Sequence, residues 1–139
     1  MSAFVTYKGT VYPWHCDHMG HMNVMWYVGK FDEATWQLFS AVGLTPAWLR
    51  AHDRGMAAVE QHIRYRRELM PGDLVSVRTR VLAVQDKSLR FEHEMGDDAR
   101  GEVVATTELV AVHLDTVARR ATSFSDEVRA ACTARLSSS

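Results

Sequence analysis

The feature that most restricts what this chain can fold into is an abrupt change of hydrophobic period. From Asn23, apolar residues recur at three- and four-residue intervals (Tyr27, Phe31, Ala34, Leu38, Val42), which is one face of an α-helix. Lys30, Glu33, Gln37 and Ser40 form the opposite stripe, yet Val24, Met25, Trp26, Val28, Trp36 and Phe39 carry apolar surface well beyond one face. Such a helix is expected to be enclosed on several sides. Asn23 suits its N-cap and Gly43 its C-terminal stop. Thr45-Pro46 opens a second, short helix with proline at the first helical position, and Gly55 is expected to end it.

Beyond that point the period becomes two. Between Ala57 and Leu69 one strand face carries Ala57, Val59, Ile63, Tyr65 and Leu69, with Glu60, His62, Arg64, Arg66 and Glu68 alternating. Pro71-Gly72-Asp73 is a turn. Val75, Val77, Thr79, Val81 and Ala83 predict the inner face of the next strand, and Leu89, Phe91, His93 and Met95 that of the one after Asp86-Lys87-Ser88. Gly96 to Gly101 is a loop. Glu102 to Leu114 is apolar on both faces, as a central strand is. Arg119 to Phe124 predicts a last strand, and a terminal helix starts near Ser125-Asp126-Glu127. Upstream, Phe4 to Trp14 reads as a first strand and His15 to Met22 as an ordered loop. One long apolar helix wrapped by a curved antiparallel sheet is an α+β solution.

With 139 residues, a single domain over 1–136 with a disordered serine tail at 137–139 is the expectation. A chain of this length has no room for a dinucleotide-binding domain beside a substrate domain. Sixteen Lys and Arg against seventeen Asp and Glu leave a net charge of -1, so no global field points to nucleic acid or to an anionic membrane. Cys16 and Cys132 form no disulfide framework, the first residues lack the apolar run of a signal peptide, and no stretch approaches a membrane span. A reducing cytoplasm fits this pattern.

The sharpest local departure from composition is His15-Cys16-Asp17-His18-Met19-Gly20-His21, which holds three of the seven histidines and sits just before the long helix. A helix N-terminus offers unpaired N–H groups and a partial positive charge, suited to a carbonyl oxygen as it becomes an oxyanion. Here those amides belong to Val24 and its neighbours. A loop carrying Asp17 can return its carboxylate to the same place, to attack a carbonyl or to activate water. Gly20 lets the loop bend and a substrate come close. A competing reading takes His15, Cys16, His18 and His21 as metal ligands, although the spacing is compact and no second cluster follows. The plainest reading has His15 and His18 packing and hydrogen-bonding the loop, with Asp17 in an Asx-turn or a capping role.

Asp17-His18-Met19-Gly20-His21-Met22-Asn23-Val24, followed by Tyr27, resembles the Asp-x-x-Gly-His-x-Asn element of hot-dog-fold acyl-CoA thioesterases of the 4-hydroxybenzoyl-CoA type. The likeness continues through Val59 to Leu69 with Gly72-Asp73, Phe91 to Met95, and Ala118-Arg119-Arg120. It extends to the subgroup that includes betainyl-CoA thioesterases. It implies a hot-dog fold, thioester hydrolysis releasing coenzyme A, and a homodimer with active sites at the subunit interface, often doubled to a tetramer. No cofactor is implied beyond the coenzyme A that arrives with the substrate. The catalytic carboxylate falls on Asp17 and the oxyanion amide near Val24. His21 and Asn23 match motif positions and are assigned to orienting the loop, capping the helix and placing a water.

Family members also use an acidic residue from another element, for which Glu60 is the candidate; equally, Glu60 is an outward residue on an amphipathic strand. Arg64, Arg66 and Arg67, with Lys87 and Arg90, are candidates for the phosphates of coenzyme A, against a solvated strand face paired with Glu60, Glu68 and Glu92. Trp14, Trp26 and Tyr27 flank the loop and suit either an aromatic surface for an acyl group such as betaine or ordinary packing. Two other readings compete with the thioesterase: a hot-dog enoyl-CoA hydratase or dehydratase, and a non-catalytic acyl-CoA-binding module.

Overall fold

The computed structural model describes residues 3–137. In chain order the elements are β1 (Phe4–Thr10), a 3-10 turn (Pro13–His15), α1 (Val24–Ala41), α2 (Pro46–Ala51), β2 (Arg54–Tyr65), β3 (Leu74–Val84), β4 (Ser88–Asp97), β5 (Glu102–Asp115), β6 (Arg120–Ala121) and α3 (Asp126–Ala134). Every pairing is antiparallel, in the order β1-β3-β4-β5-β2, with β6 added beside β5. The sheet curls around α1, the α+β arrangement that the two hydrophobic periods imply. The inner residues of β3 and β4 are the expected ones as far as Val81: Val75, Val77, Thr79 and Val81, with Leu89, Phe91, His93 and Met95, are all buried, whereas Ala83, also expected inside, follows a bulge, pairs with Arg90 and is only half-buried. β5 lies between β4 and β2, as its double-sided apolar pattern requires.

Several boundaries differ from expectation. β1 stops at Thr10, because Pro13, which has no N–H to give a ladder, opens the 3-10 turn instead. Asn23 caps α1 as expected, its side chain accepting the Met25 N–H. α2 ends at Ala51 with His52 as its C-cap, short of the Gly55 expected to end it, and Asp53, at φ 52°, takes the left-handed conformation that follows. β2 ends at Tyr65, where the N–H groups of Arg66 and Arg67 both turn to the Val104 carbonyl. The last strand shrinks to Arg120–Ala121. Disorder does not begin at Ser137, whose N–H donates to the Val81 carbonyl at 2.9 Å; residues 138 and 139 of the expected tail lie outside the described residues.

The core forms two clusters. One surrounds Leu38, Phe39, Phe91 and Val128, and the other surrounds Tyr27, Phe31, Leu69 and Met95 near the start of α1. His93 lies between them, ring to ring with Phe31 (5.8 Å) and Phe91 (5.2 Å). Its two nitrogens reach Thr35 Oγ1 (2.8 Å) and Thr79 Oγ1 (2.7 Å), and Thr79 meets Thr6 at 2.7 Å.

Two expectations about α1 fail. Lys30, placed by periodicity on the solvent stripe, is 3% exposed because β1 crosses over it. The helix is also not enclosed by its own chain, since Val24, Met25, Val28 and Trp36 remain exposed.

Candidate active site

The loop before α1 is tied at both ends. Cys16 and Met22 form an antiparallel bridge, the Gly20 N–H donates to the Asp17 carbonyl (2.9 Å), and the Asp17 N–H donates to that of His21 (3.2 Å). Gly20 sits at φ 87°, where a side chain is strained, so its value is the bend itself. Asp17 is thereby fixed at the base of a tight turn. Its Oδ1 accepts the Met19 N–H (2.9 Å) and its Oδ2 accepts Nδ2 of Asn23 (2.8 Å). These two donors, the Asn23 amide first, hold the Asp17 carboxyl below the usual carboxylate range, so it is ionised at neutral pH.

Asn23 joins this carboxylate to the helix. While Nδ2 grips Asp17, its Oδ1 accepts the Met25 N–H (2.9 Å), its carbonyl accepts that of Trp26 (2.9 Å), and its own N–H donates to the His15 carbonyl (2.9 Å). The first N–H groups of a helix have no partner within it. Those of Met25 and Trp26 are thus satisfied, and among the described residues the Val24 N–H has no acceptor. Val24 lines a cavity of about 260 Å³ with His21, Met22, Tyr27, Tyr65, Arg66, Arg67 and Glu68. Asp17 stands outside these walls, one hydrogen bond away through Asn23. Tyr27 donates its hydroxyl to the Arg67 carbonyl (3.0 Å) and meets the Tyr65 ring edge-on at 5.2 Å. Burial first, then Glu68, pushes the Tyr27 phenol up to about 12, so it stays protonated and is no base.

Removing the Asn23 side chain has two separable consequences. Asn23→Ala is expected to cost about 1 kcal/mol of stability through the lost N-cap. It also frees Asp17 Oδ2, so the acid limb of any Asp17-dependent rate moves to higher pH. Urea denaturation reads the first effect, and a pH–rate profile of the folded variant reads the second.

The other candidates scatter. His21 contributes its backbone carbonyl to the loop, and its Nε2 stands 3.7 Å from Glu68 Oε1. A bulge at Val59 and the pairing of Glu60 with Val110 turn Glu60 to the sheet face away from α1, where it lines an outer groove with His62, Arg90 and Glu108. Within one chain, Glu60 is therefore not brought to Asp17. Arg64 lies on that same outer face with Arg80 and Glu92, and Arg90 pairs with Glu108 at 3.7 Å. Lys87 is in the β3–β4 turn beside the far end of β5, away from the loop. Arg66 lines both the outer-face groove of Arg64, Arg80 and Glu92 and the Val24 cavity, and Arg67, in the cavity wall, pairs with Glu102 at 3.5 Å. Trp26 and Tyr27 part company, for Tyr27 lines the Val24 cavity while Trp26 packs on His15 at 4.6 Å. The metal reading finds no support: among the described residues no three His, Cys, Asp or Glu side chains converge. Nor, among those residues, is any helix long and apolar enough to cross a membrane.

Residues 11–132 match the family model of the thioesterase-like superfamily. The chain belongs to that superfamily. It is 38% identical over 104 residues to an L-carnitine dehydrogenase/betainyl-CoA thioesterase of Agrobacterium fabrum, covering 75% of this chain and 21% of that protein. Against the betainyl-CoA thioesterase of Pseudomonas aeruginosa it is 29% identical over 128 residues, covering 92% of this chain and 80% of the relative. This chain thus spans about a fifth of the first relative and most of the second. A Staphylococcus aureus protein solved in complex with CoA superposes with a TM-score of 0.91 at 19% identity, over 99% of this chain and 89% of that one, which shows the shared hot-dog fold.

Sequence reasoning missed parts of this superfamily member's cavity. Tyr65 reads only as an inward strand residue and Glu68 only as a polar alternate, yet both are walls of the Val24 cavity. Their signal was the buried Leu69 beside them, whose carbonyl accepts the Met22 N–H and draws the end of β2 against the loop.

Proposed function

We propose that this chain is an acyl-CoA thioesterase in which Asp17 is the nucleophile or the general base and the Val24 N–H receives the oxyanion. The observation that carries the reading is the Asn23 junction: one residue holds an ionised carboxylate and caps α1, and the next residue, whose amide is unpaired among the described residues, lines a cavity. In the general-base form Asp17 takes a proton from water as its oxygen bonds the thioester carbon. The carbonyl oxygen becomes negative against the Val24 N–H; the carbon–sulfur bond then breaks, and the thiolate of coenzyme A leaves and is protonated. In the nucleophilic form a carboxylate oxygen makes that bond, giving a mixed anhydride that water opens. Both the superfamily and the named relatives support the chemistry.

A thiol-release screen over short, branched, aromatic and betainyl acyl-CoA esters tests it. Release from at least one ester is expected; binding without release across the screen replaces it with the non-catalytic module, and hydration of an enoyl-CoA with its thioester intact replaces it with the hydratase. A single turnover in ¹⁸O water separates the two roles of Asp17, because label found in the Asp17 carboxylate requires direct attack.

The working unit is proposed to be a homodimer built along β2. This strand of twelve residues has one paired side, and along most of its length its residues are exposed. Val59 at its bulge is 59% exposed, close to the values for Val24 and Met25 on α1. A bare edge and an apolar helix flank call for a cover, and a second copy also walls the open side of the Val24 cavity. Val59→Glu is expected to shift the mass in solution from dimer to monomer and to abolish thiol release together. A monomeric wild type, or a monomeric variant with full turnover, rejects the dimer as the working unit.

A further inference from the structure

Trp26, Lys30 and Glu33 recur at i, i+4 and i+7, so they share a face of α1 that carries neither Val24 nor Tyr27. β1 and the 3-10 turn close over that face, leaving a cleft of about 360 Å³, a volume suited to one small molecule. The cleft shares no residue with the Val24 cavity.

Its floor holds a buried cation. Lys30, 3% exposed, donates from Nζ to the Tyr7 hydroxyl (2.9 Å) and weakly to the Thr10 carbonyl (3.5 Å). Both acceptors are neutral, and among the described residues no carboxylate lies within ion-pair distance of it. A buried ammonium with only neutral partners is costly to maintain. Gly9 in the wall leaves the room that Tyr7 occupies, since a side chain there collides with the Tyr7 ring.

A second donor is His15, 9% exposed. Its Nδ1 accepts the Tyr12 N–H at 2.9 Å, so the neutral ring carries its proton on Nε2, which has no hydrogen-bond partner among the described residues. Burial, then Lys30, holds the His15 pKa down against an opposing pull from Glu33, a carboxylate that also lines the cleft but stands beyond ion-pair distance of Lys30. Around these donors stand flat rings. Tyr12 and Trp14 stack at 4.5 Å with 12° between planes, and Trp26 lies 4.6 Å from His15. Trp14 nevertheless presents 67% of its surface to solvent.

We propose that this cleft is a second binding site, for a small planar aromatic carboxylate whose ring lies against Tyr12, Trp14 and Trp26 and whose anion is received by Lys30 Nζ and His15 Nε2–H. The site does not depend on what Asp17 does, so it stands or falls apart from the thioesterase reading.

Calorimetric titration of the full chain with benzoate, benzamide and cyclohexanecarboxylate tests it. Saturable binding of benzoate is expected, with the uncharged amide and the non-planar acid at least about tenfold weaker. Trp14→Ala, at an exposed position, is expected to weaken benzoate about tenfold, and Lys30→Met to remove it. Tyr65→Ala, in the other cavity, is expected to leave benzoate binding unchanged. Absence of saturable binding overturns the site. Equal affinity for benzamide overturns the role of Lys30. Full binding in Trp14→Ala, or loss in Tyr65→Ala, puts the ligand elsewhere and equally overturns it.

Discussion

Asp17→Asn is expected to slow thioester hydrolysis by about 10²–10⁴-fold, the usual range for losing a positioned base, with KM little changed. The substitution preserves shape, and its Oδ1 still accepts the Met19 N–H that now reaches Asp17. What it loses is charge and the ability to take a proton or form an anhydride. One amide must also face another where Asn23 Nδ2 now meets Oδ2, a local disturbance at an exposed turn. KM is spared because the Asp17 side chain is not among the cavity walls. Steady-state thiol release on the best substrate measures the effect, with thermal unfolding to confirm the fold. Undiminished turnover removes Asp17 from the mechanism. In the wild type the two donors that keep Asp17 ionised place the acid limb of the rate below that of an ordinary carboxylate.

The second large effect is on stability in acid. Burial lowers the His93 pKa from 6.5 to about 3. The unfolded chain takes up this proton as pH falls through 6.5, while the folded chain refuses it until about 3. Stability from this group is therefore complete above 6.5 and declines as pH falls, by about 1.4 kcal/mol per pH unit, toward a total loss on the order of 5 kcal/mol. The geometry gives the reason. Thr35 donates its hydroxyl to the Phe31 carbonyl (3.0 Å), so it accepts from His93 Nε2–H, and Nδ1 is left as the acceptor from Thr79. An imidazolium here would be stripped of water by Phe31 and Phe91, with only the neutral hydroxyls of Thr35 and Thr79 beside its charge. Urea titrations between pH 7 and 4 should show His93→Leu less stable than the wild type at neutrality but with a flatter pH dependence. Parallel slopes would mean that His93 does not govern acid sensitivity.

Much of this was legible in the sequence because it is local. The step from a period of three to four residues to a period of two names the long helix and most of the inner faces of β3 and β4, and the observed burial of Phe31, Leu38, Val77 and Phe91 follows it. Asn23 as N-cap and Gly20 as the bend are also local, each set by a backbone requirement within a few residues. So is the proximity of Asp17 to the helix N-terminus, which the seven-residue element enforces.

What pattern alone misjudged depends on chain crossings. Lys30 repeats with Glu33 and Gln37 and so reads as solvated; only the passage of β1 over α1 buries it. Val59 reads as an inner residue of its strand but stands exposed at a bulge, and a one-residue slip of that kind reverses a strand face; Glu60 keeps the outward position that its alternation implied. Trp26 and Tyr27 are neighbours in sequence but point about 100° apart around the helix, so they serve different cavities. The sequence by itself determined the order of the main elements, the apolar stripe of α1, the inner positions of β3 and β4 up to Val81 and the short segment that joins Asp17 to the first turn of α1, because each depends on residues within a turn or two of one another. The tertiary structure alone decided which side chains become walls of the two cavities and which flank of α1 is left bare, because those outcomes depend on where distant strands cross the helix and where the sheet ends.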